Sequence, residues 1–574
     1  MPVRRMTFQQ AVDYFNTLVE EDDSEENEEG GNATARGDSV DNCGAEDPSS
    51  DGEVVVQEYD QSSSEDTDSV DSDNDSDDDT NEYFVSPNNI TWKKNRPPPR
   101  LLSRNIIRFR SGPTFVPRNE LESFHLFLNE DMLQIIFLHT NRRIRSAGKQ
   151  ILTFEELKAG IGLLIRAGAD KDNLSHISTM FGPSDSRPFY RCCLSKNRFK
   201  LFLRYLSFDD RRDRRERQET DRMAAIREIW DLFQNNLRKF YVPSERLTVD
   251  EQLYGYRGYA PGRCYMKSKP SKYGIKFYWL CDAATGYALA GTIYSGRNPN
   301  SPRENGAAEK IVLNLTSFFN NSGRTVYIDR YFTSHSLCLK LLQNGLAMTG
   351  TVMANRRDVP KKFKTVKDRE LYSTSELWET QNRIALISYV PKKNKNVLVM
   401  SSAHASVDIQ NERDDKKPTL IHDYNQGKGG VDLLDSCIDD FSTKRKTNRY
   451  PLVVFFNILD ICIFNAYLIA KECNSVPSIK CRRQFMKELA FALAKDNMEV
   501  RMKNGKVYAQ TKESFRRFGL EKPEDEPPSS SEQNNKPKQC SMCRRTTRSS
   551  CDVCQKRVCT LHKAKYVRCV NCIQ

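Results

Sequence analysis

Hydrophobic positions change their period twice along this chain, and each change marks a boundary. From 119 to 210 the period is helical. Leu121, Phe124 and Leu128, then Leu133, Ile136 and Phe137, fall on helix faces. Thr153 with Glu156 forms a capping box ahead of a helix predicted over 154–167. Phe199, Phe202, Leu203 and Leu206 repeat the i, i+3, i+4, i+7 spacing. The charge-dense stretch 209–221 predicts a solvated turn, and 223–240 another amphipathic helix. At 247 the texture becomes β-like. Strands are predicted over 247–256, 273–281, 287–294, 325–329, 348–353, 384–390 and 396–401, with a helix over 334–343 among them. Ala284-Thr-Gly286 closes one hairpin and residues 391–395 another. From 431 the helical period returns. Pro451 opens a long apolar helix over 452–470, and a looser one follows over 482–494. Strands therefore interrupt a helical protein in its middle, and the helices on either side are expected to pack together as one split domain.

The helix at 452–470 is apolar enough to raise a membrane span, but Asn457, Asp460 and Asn465 would be costly in lipid. A buried soluble helix is expected, with no membrane partner. Residues 1–20 hold two arginines and no continuous apolar run, unlike a secretory signal, and 1–15 suits a short amphipathic helix.

Charge sharpens the division. The 574 residues suggest roughly three to five domains by length. Residues 20–82 carry 26 acidic side chains and one basic, Arg36, a net of −25. A total of +11 then leaves +36 for the rest of the chain. Such a split argues against a plain metabolic enzyme. It predicts a body that meets a polyanion and a disordered acidic arm, whose Ser/Asp/Glu run also suits an acid-directed kinase.

Seven of the 17 cysteines crowd into the last 35 residues, and the other ten lack framework spacing. The string Cys540-x2-Cys543-x7-Cys551-x2-Cys554-x4-Cys559-x2-His562-x6-Cys569-x2-Cys572 offers eight ligands, enough for two tetrahedral zinc ions. A segment this short needs such staples to fold. Alternating pairing would put Cys540, Cys543, Cys559 and His562 on one zinc and Cys551, Cys554, Cys569 and Cys572 on the other. Sequential pairing is the rival arrangement. The module's eight basic residues against Asp552 favour DNA or an import receptor.

Phosphodiester chemistry commonly uses two divalent ions held by carboxylates that converge from different elements. With 77 acids present, position must select among them. Asp250 lies in a predicted strand and Asp329 ends another. Asp432 and Asp435 follow the turn Gln426-Gly-Lys-Gly-Gly430 and open a helix, three residues apart on one face. Strand, strand and helix start can meet at one edge of a mixed sheet, although each acid could instead cap a turn or helix. Basic residues interleave with tyrosines over 254–276, and Lys269, Lys272 and Lys276 there, with Lys444, Arg445, Lys446 and Arg449, are expected at DNA.

Several blocks resemble the signatures of piggyBac-type transposases, in the family's order and from about residue 100 onward. They are Leu247-Thr-Val-Asp-Glu-Gln-Leu253, Lys269-Pro-Ser-Lys-Tyr-Gly-Ile-Lys276, Asp329-Arg-Tyr-Phe-Thr-Ser334, Tyr424-Asn-Gln-Gly-Lys-Gly-Gly-Val-Asp-Leu-Leu-Asp435 and Lys444-Arg-Lys-Thr-Asn-Arg449, together with the cysteine-rich tail. Tyr450 stands where the family often has tryptophan, and its ring can still stack on an unpaired base. The resemblance implies a multidomain α+β protein. Its RNase H-like mixed α/β core would be interrupted by a β-rich insertion, flanked by a split helical domain and followed by a cross-brace zinc module. The implied boundaries are a disordered acidic region at 1–100, helical dimerisation and DNA-binding parts at 101–245 and 442–520, and catalytic parts at 246–355 and 420–441. The insertion falls at 356–419, a linker at 521–539 and the zinc domain at 540–574. The resemblance also implies a catalytic triad of Asp250, Asp329 and Asp432 holding two Mg²⁺, with Asp435 assisting. The expected function is cut-and-paste DNA transposition at TTAA sites, by a homodimer in the nucleus acting on double-stranded DNA. The alternatives are a domesticated, catalytically idle DNA-binding protein that recruits partners through its acidic arm, and a zinc-dependent ubiquitin ligase.

Overall fold

The spine of the fold is the antiparallel pair Arg246–Gly255 and Tyr273–Asp282, in register from Leu247 opposite Asp282 to Gly255 opposite Gly274. Past Tyr273 the second strand is buried throughout, which is why it reads as a continuous apolar run rather than an alternation. The computed structural model describes residues 83–98, 110–182, 187–296, 306–379, 381–410, 414–476, 479–503, 509–520, 538–551 and 556–562. The acidic tract at 20–82, the helix expected over 1–15 and the linker at 521–537 lie outside the described residues.

Arg246–Gly255 also pairs parallel with Thr325–Ile328, which pairs parallel with Ala347–Thr351 across the crossover helix His335–Gln343. Beyond Ala347–Thr351 the pairing turns antiparallel through Lys395–Ser401, Ile384–Lys392 and Thr374–Glu379. On the other side of the spine, Ala288–Ile293 and Arg263–Tyr265 both pair with Tyr273–Asp282. Together with two edge strands, these make one eleven-stranded mixed sheet among the described residues, and the hairpins of 374–401 continue it.

Two edge strands correct the boundary expected at residue 100. Tyr83–Val85 and Thr91–Lys93 form a hairpin joined to Thr374–Glu379 by the pairing of Lys93 with Trp378. Trp92 anchors them. It is fully buried and donates Nε1–H to the Asp358 carbonyl at 3.1 Å. The acidic stretch just before it hides this signal from a composition window.

The helical segments meet across the sequence. Phe154–Asp170, capped by reciprocal Thr153 and Glu156 bonds, packs along Arg482–Lys503. A Cβ on Gly162 would lie 2.8 Å from the Ala490 carbonyl oxygen, so this approach needs glycine. Tyr450–Glu472 packs against Glu120–His125 and Ala224–Leu237, with 89% of its most apolar window buried. Asp460 and Asn465 are satisfied inside the protein, whereas Asn457 donates through Nδ2 and keeps a buried Oδ1 without a partner. Asp460 accepts from Tyr254 Oη at 2.9 Å, Ser442 Oγ at 2.7 Å and Thr443 N at 2.7 Å. Asn465 brackets Ala288, accepting from its N–H at 3.1 Å and donating to its carbonyl at 3.0 Å.

Two local expectations change. The stretch 209–221 contains the helix Arg214–Thr220, held by Arg214 and Arg217 on buried Asp209. The glycine turn expected at 426–430 is shorter, because the helix Thr419–Gly427 runs into it and Gly430–Asp440 follows at once.

Candidate functional site

The parallel register sets two of the acids side by side. Val249 pairs with Ile328 at the end of the ladder, so Asp250 and Asp329 are the next residues on two neighbouring segments. Asp250 Oδ1 accepts the Glu251 N–H at 2.8 Å. Asp329 Oδ1 accepts the Arg330 N–H at 2.6 Å and Thr351 Oγ1–H at 3.1 Å. The second oxygen of each takes no hydrogen bond among the described residues.

The other two acids arrive on the helix Gly430–Asp440. Thr248 seats its start, accepting the Gly430 N–H at 3.3 Å and donating to the Gly427 carbonyl at 2.6 Å. One turn further on, Asp435 Oδ1 accepts from Gln252 Nε2 at 2.6 Å. Thr248, Asp250 and Gln252 share one face of their strand, so the helix is fastened on both sides of Asp250. Asp435 is half-buried, whereas Asp432 is exposed.

The electrostatics are those of crowded carboxylates. Burial first, then the charges of Glu251 and Asp329, raise Asp250 well above the usual carboxylate range, with Lys269 opposing. Burial, aided by Asp439 and Asp432, pushes Asp435 up to about 6, against the Gln252 bond and Lys269. Lys269 Nζ donates to the Glu251 carbonyl at 3.2 Å. Tyr424 joins the group through Thr351, their hydroxyls 3.3 Å apart, and burial first, then the charges of Asp329 and Asp250, hold its phenol protonated. Hard oxygen donors whose ionised forms repel one another are what a divalent cation would stabilise. The donors have the chemistry such an ion takes, while the close His/Cys/Asp/Glu group among the described residues is Cys540, Cys543, Cys559 and His562.

At the other end of the chain, the ligand atoms of Cys540, Cys543, Cys559 and His562 all lie within 4.8 Å of one another. Cys543 Sγ is 3.6 Å from Cys559 Sγ, and Cys559 Sγ is 3.4 Å from His562 Nδ1. The grouping is that of alternating pairing. In the second set Cys551 is buried, while Cys554, Cys569 and Cys572 lie outside the described residues.

Five residues expected at DNA make contacts within the protein. Lys276 is 3% exposed, its ammonium 5.1 Å from the Tyr278 ring centroid and 5.3 Å from that of Tyr294. Lys444 Nζ donates to the Gly255 carbonyl and sits over Tyr254. Arg445 is buried and donates to the Ser175 carbonyl at 2.8 Å. Arg449 donates to the carbonyls of Arg204, at 3.1 Å, and Leu206. Tyr450 Oη donates to the Arg222 carbonyl at 3.3 Å. In each arginine and in Tyr450, a long polar side chain caps backbone carbonyls that the first helical segment leaves open. Lys272 and Lys446 are exposed and Lys269 is partly so.

A family model described as Transposase IS4 matches residues 119–467. The chain belongs to this transposase family, and its relatives are of the piggyBac type. Human piggyBac transposable element-derived protein 3 is 24% identical over 383 residues, 63% of each chain. Human piggyBac transposable element-derived protein 2 is 23% identical over 372 residues, 61% of each. The matched stretch thus spans less than two thirds of either relative's own length. The cryo-EM structure of a piggyBac transposase synaptic complex with hairpin DNA is similar at a TM-score of 0.69 and 29% identity, covering 81% of this chain and 100% of that one. The fold is accordingly a mixed α/β multidomain fold similar to that transposase, with a large mixed sheet flanked by helices.

In this family member the residues that sequence reasoning missed are the ones that hold the acids in place. Gln252 lies inside a quoted block, yet nothing local reveals that it reaches across to Asp435. Thr248, Thr351 and Tyr424 are equally silent, because each acts through a contact distant in sequence.

Proposed function

We propose that this chain is a cut-and-paste DNA transposase whose strand cleavage and transfer depend on Asp250, Asp329 and Asp432, with Asp435 assisting. The observation that carries this reading is the parallel register of Val249 with Ile328, beside the Gln252–Asp435 bond. Three segments far apart in sequence converge there with acids, in a chain of the transposase family. The sheet and its crossover are read as an RNase H-like core. Asp250, Asp329 and Asp432 would hold two Mg²⁺, which when bound stabilise the attacking and leaving oxygens of the phosphodiester. The chain's own share is orientation. Gln252 and Thr248 fix the helix of Asp432 and Asp435, Thr351 fixes one oxygen of Asp329, and Lys269 tempers the summed negative charge.

The partner is double-stranded DNA, in keeping with the similar complex with hairpin DNA, and Lys272 and Lys446, exposed, with Lys269, partly so, are candidates to meet its phosphates. Dimerisation through the helical parts, nuclear action, TTAA targets and kinase modification of the acidic arm follow from the family resemblance and the composition. Cys540, Cys543, Cys559 and His562 would hold one zinc. The cross-brace assigns Cys551, Cys554, Cys569 and Cys572 to a second.

Plasmid excision with the gene's own flanking DNA as ends, wild type beside Asp329→Ala, tests the reading. Excision by wild type alone is expected, with DNA binding kept by the variant. Equal excision by both would end the triad assignment. Both similar human proteins are named as derived from transposable elements, which favours a second reading as an idle DNA binder. DNA binding without excision on intact ends would select it.

A further inference from the structure

One carboxylate outside the acid group touches the segments that deliver it. Asp423 lies on the helix Thr419–Gly427, directly ahead of the helix of Asp432. Its Oδ2 accepts from Tyr327 Oη at 2.6 Å, two residues before Asp329 on the same strand. Its Oδ1 pairs with Arg246 Nη2 at 3.1 Å, four residues before Asp250. His404 Nε2 stands 3.4 Å from Oδ2, and its Nδ1 is 2.8 Å from Ser401 Oγ. The Ser401, His404, Asp423 order resembles a hydrolytic triad, but Ser401 is fully buried with its hydroxyl 2.9 Å from Thr349 Oγ1. No substrate carbonyl can reach it.

The turn that follows rests on the same two strands. A Cβ on Gly427 would come within 2.4 Å of the Tyr327 ring. The Gly427 carbonyl and the Gly430 N–H both bond to Thr248 Oγ1. Asp423 and this turn therefore grip one pair of neighbouring strands at successive points. A carboxylate with a strand on each oxygen acts as a crossbar, since charge-assisted bonds are short and directional. Acids drawn from three segments need such a crossbar, because displacements of about 1 Å in a supporting group can disable a site.

We propose that Asp423 is a positioning residue, which locks the helix Thr419–Gly427 onto the strands of Asp250 and Asp329 and so sets where Asp432 and Asp435 stand. The inference rests on the carboxylate reading above for its consequence, though not for the clamp itself.

The test uses the full chain without DNA, comparing wild type, Asp423→Ala, Asp423→Asn and Tyr327→Phe. Two quantities are read: amide hydrogen exchange by segment, and Mn²⁺ affinity from the electron paramagnetic resonance of the free ion. In Asp423→Ala, exchange is expected to rise across 419–435 but not in Phe154–Asp170 or Arg482–Lys503, with Mn²⁺ affinity down about 10-fold or more. Asp423→Asn keeps an acceptor for Tyr327 and should recover part of both, and Tyr327→Phe should fall between. Wild-type exchange at 419–435 in Asp423→Ala overturns the proposal, as does a uniform rise along the chain, which marks general stability only. So does wild-type Mn²⁺ affinity despite local loosening. A wild-type protein that binds no Mn²⁺ refutes the carboxylate reading instead. Exchange then decides the clamp alone, with local loosening sustaining it and its absence ending it.

Discussion

Gln252 Nε2 donates to Asp435 Oδ1 at 2.6 Å, while Gln252 Oε1 accepts from both Trp279 Nε1 at 2.8 Å and Asn457 Nδ2 at 2.9 Å. One buried amide thus ties a strand, its neighbour and two helices around the candidate acids. Gln252→Leu would leave the indole, the Asn457 amide and the carboxylate without these partners. Each orphaned buried group costs roughly 1–3 kcal/mol, so a loss of about 3 kcal/mol or more is expected in urea unfolding. Strand cleavage should fall further than stability alone explains, because Asp435 also loses its anchor.

The raised position of Asp435 makes a pH prediction with a definite sign. Folded Asp435 titrates at about 6 against an ordinary 3.8. Between those values the folded state binds more protons than the unfolded one. Stability in the absence of divalent ions is therefore full below about pH 4 and lost as pH rises toward 6, by about 3 kcal/mol in all. Asp460, pushed up to about 6 mainly by burial, adds a slope of the same sign. Asp435→Asn should remove only its own share and be more stable than wild type at pH 7 without added metal. Denaturant unfolding at pH 4, 5, 6 and 7 measures this. A wild-type curve that rises with pH over that range would contradict it.

Much of the scaffold is legible in the sequence, because its signals are local. The Thr153–Glu156 box announces its helix, and the polar interruptions at Asn457, Asp460 and Asn465 mark the long apolar helix as buried in protein. What is not legible depends on pairing at a distance. Asp250 and Asp329 can be nominated separately, but their adjacency comes from a parallel register between strands more than seventy residues apart. The internal contacts of the basic residues are illegible for a related reason. Arg445 and Arg449 carry the composition of a phosphate site, and their guanidinium groups also satisfy the carbonyls of Ser175, Arg204 and Leu206, which folding brings near.

The packing of Phe154–Asp170 against Arg482–Lys503 has a specific point of failure. Gly162 faces the backbone of Arg482–Lys503, where an added methyl would meet the Ala490 carbonyl oxygen at 2.8 Å and Leu493 Cβ at 3.2 Å. Backbone cannot move aside as a side-chain tip can. Gly162→Ala gains helix propensity of up to about 1 kcal/mol, but overpacking costs about 1–3 kcal/mol. The net expectation is a lower thermal midpoint, with metal affinity unchanged because the acids lie on other elements. Gly148, at φ 66° with nothing within 4 Å of a Cβ, is the control for a glycine held by conformation rather than by contact.

The cysteine cluster yields the last prediction. Tetrahedral zinc with Zn–S bonds near 2.3 Å sets its sulfurs about 3.8 Å apart. Cys543 and Cys559 stand at 3.6 Å, and among the described residues this region pairs Lys538–Gln539 with Thr546–Thr547 and bridges Ser550 to Arg557. So small a unit has no apolar core to hold Cys540 and Cys543 opposite Cys559 and His562 without an ion. Cobalt substitution should give the visible bands of a tetrahedral thiolate site. His562→Ala should weaken them, and Cys559→Ala should weaken them further. A strong chelator should release protection of amides in 538–562 while leaving the unfolding of the main sheet in place. A cobalt spectrum untouched by Cys559→Ala would show that the ion, if bound, uses a different set of ligands, and would return the sequential pairing to consideration.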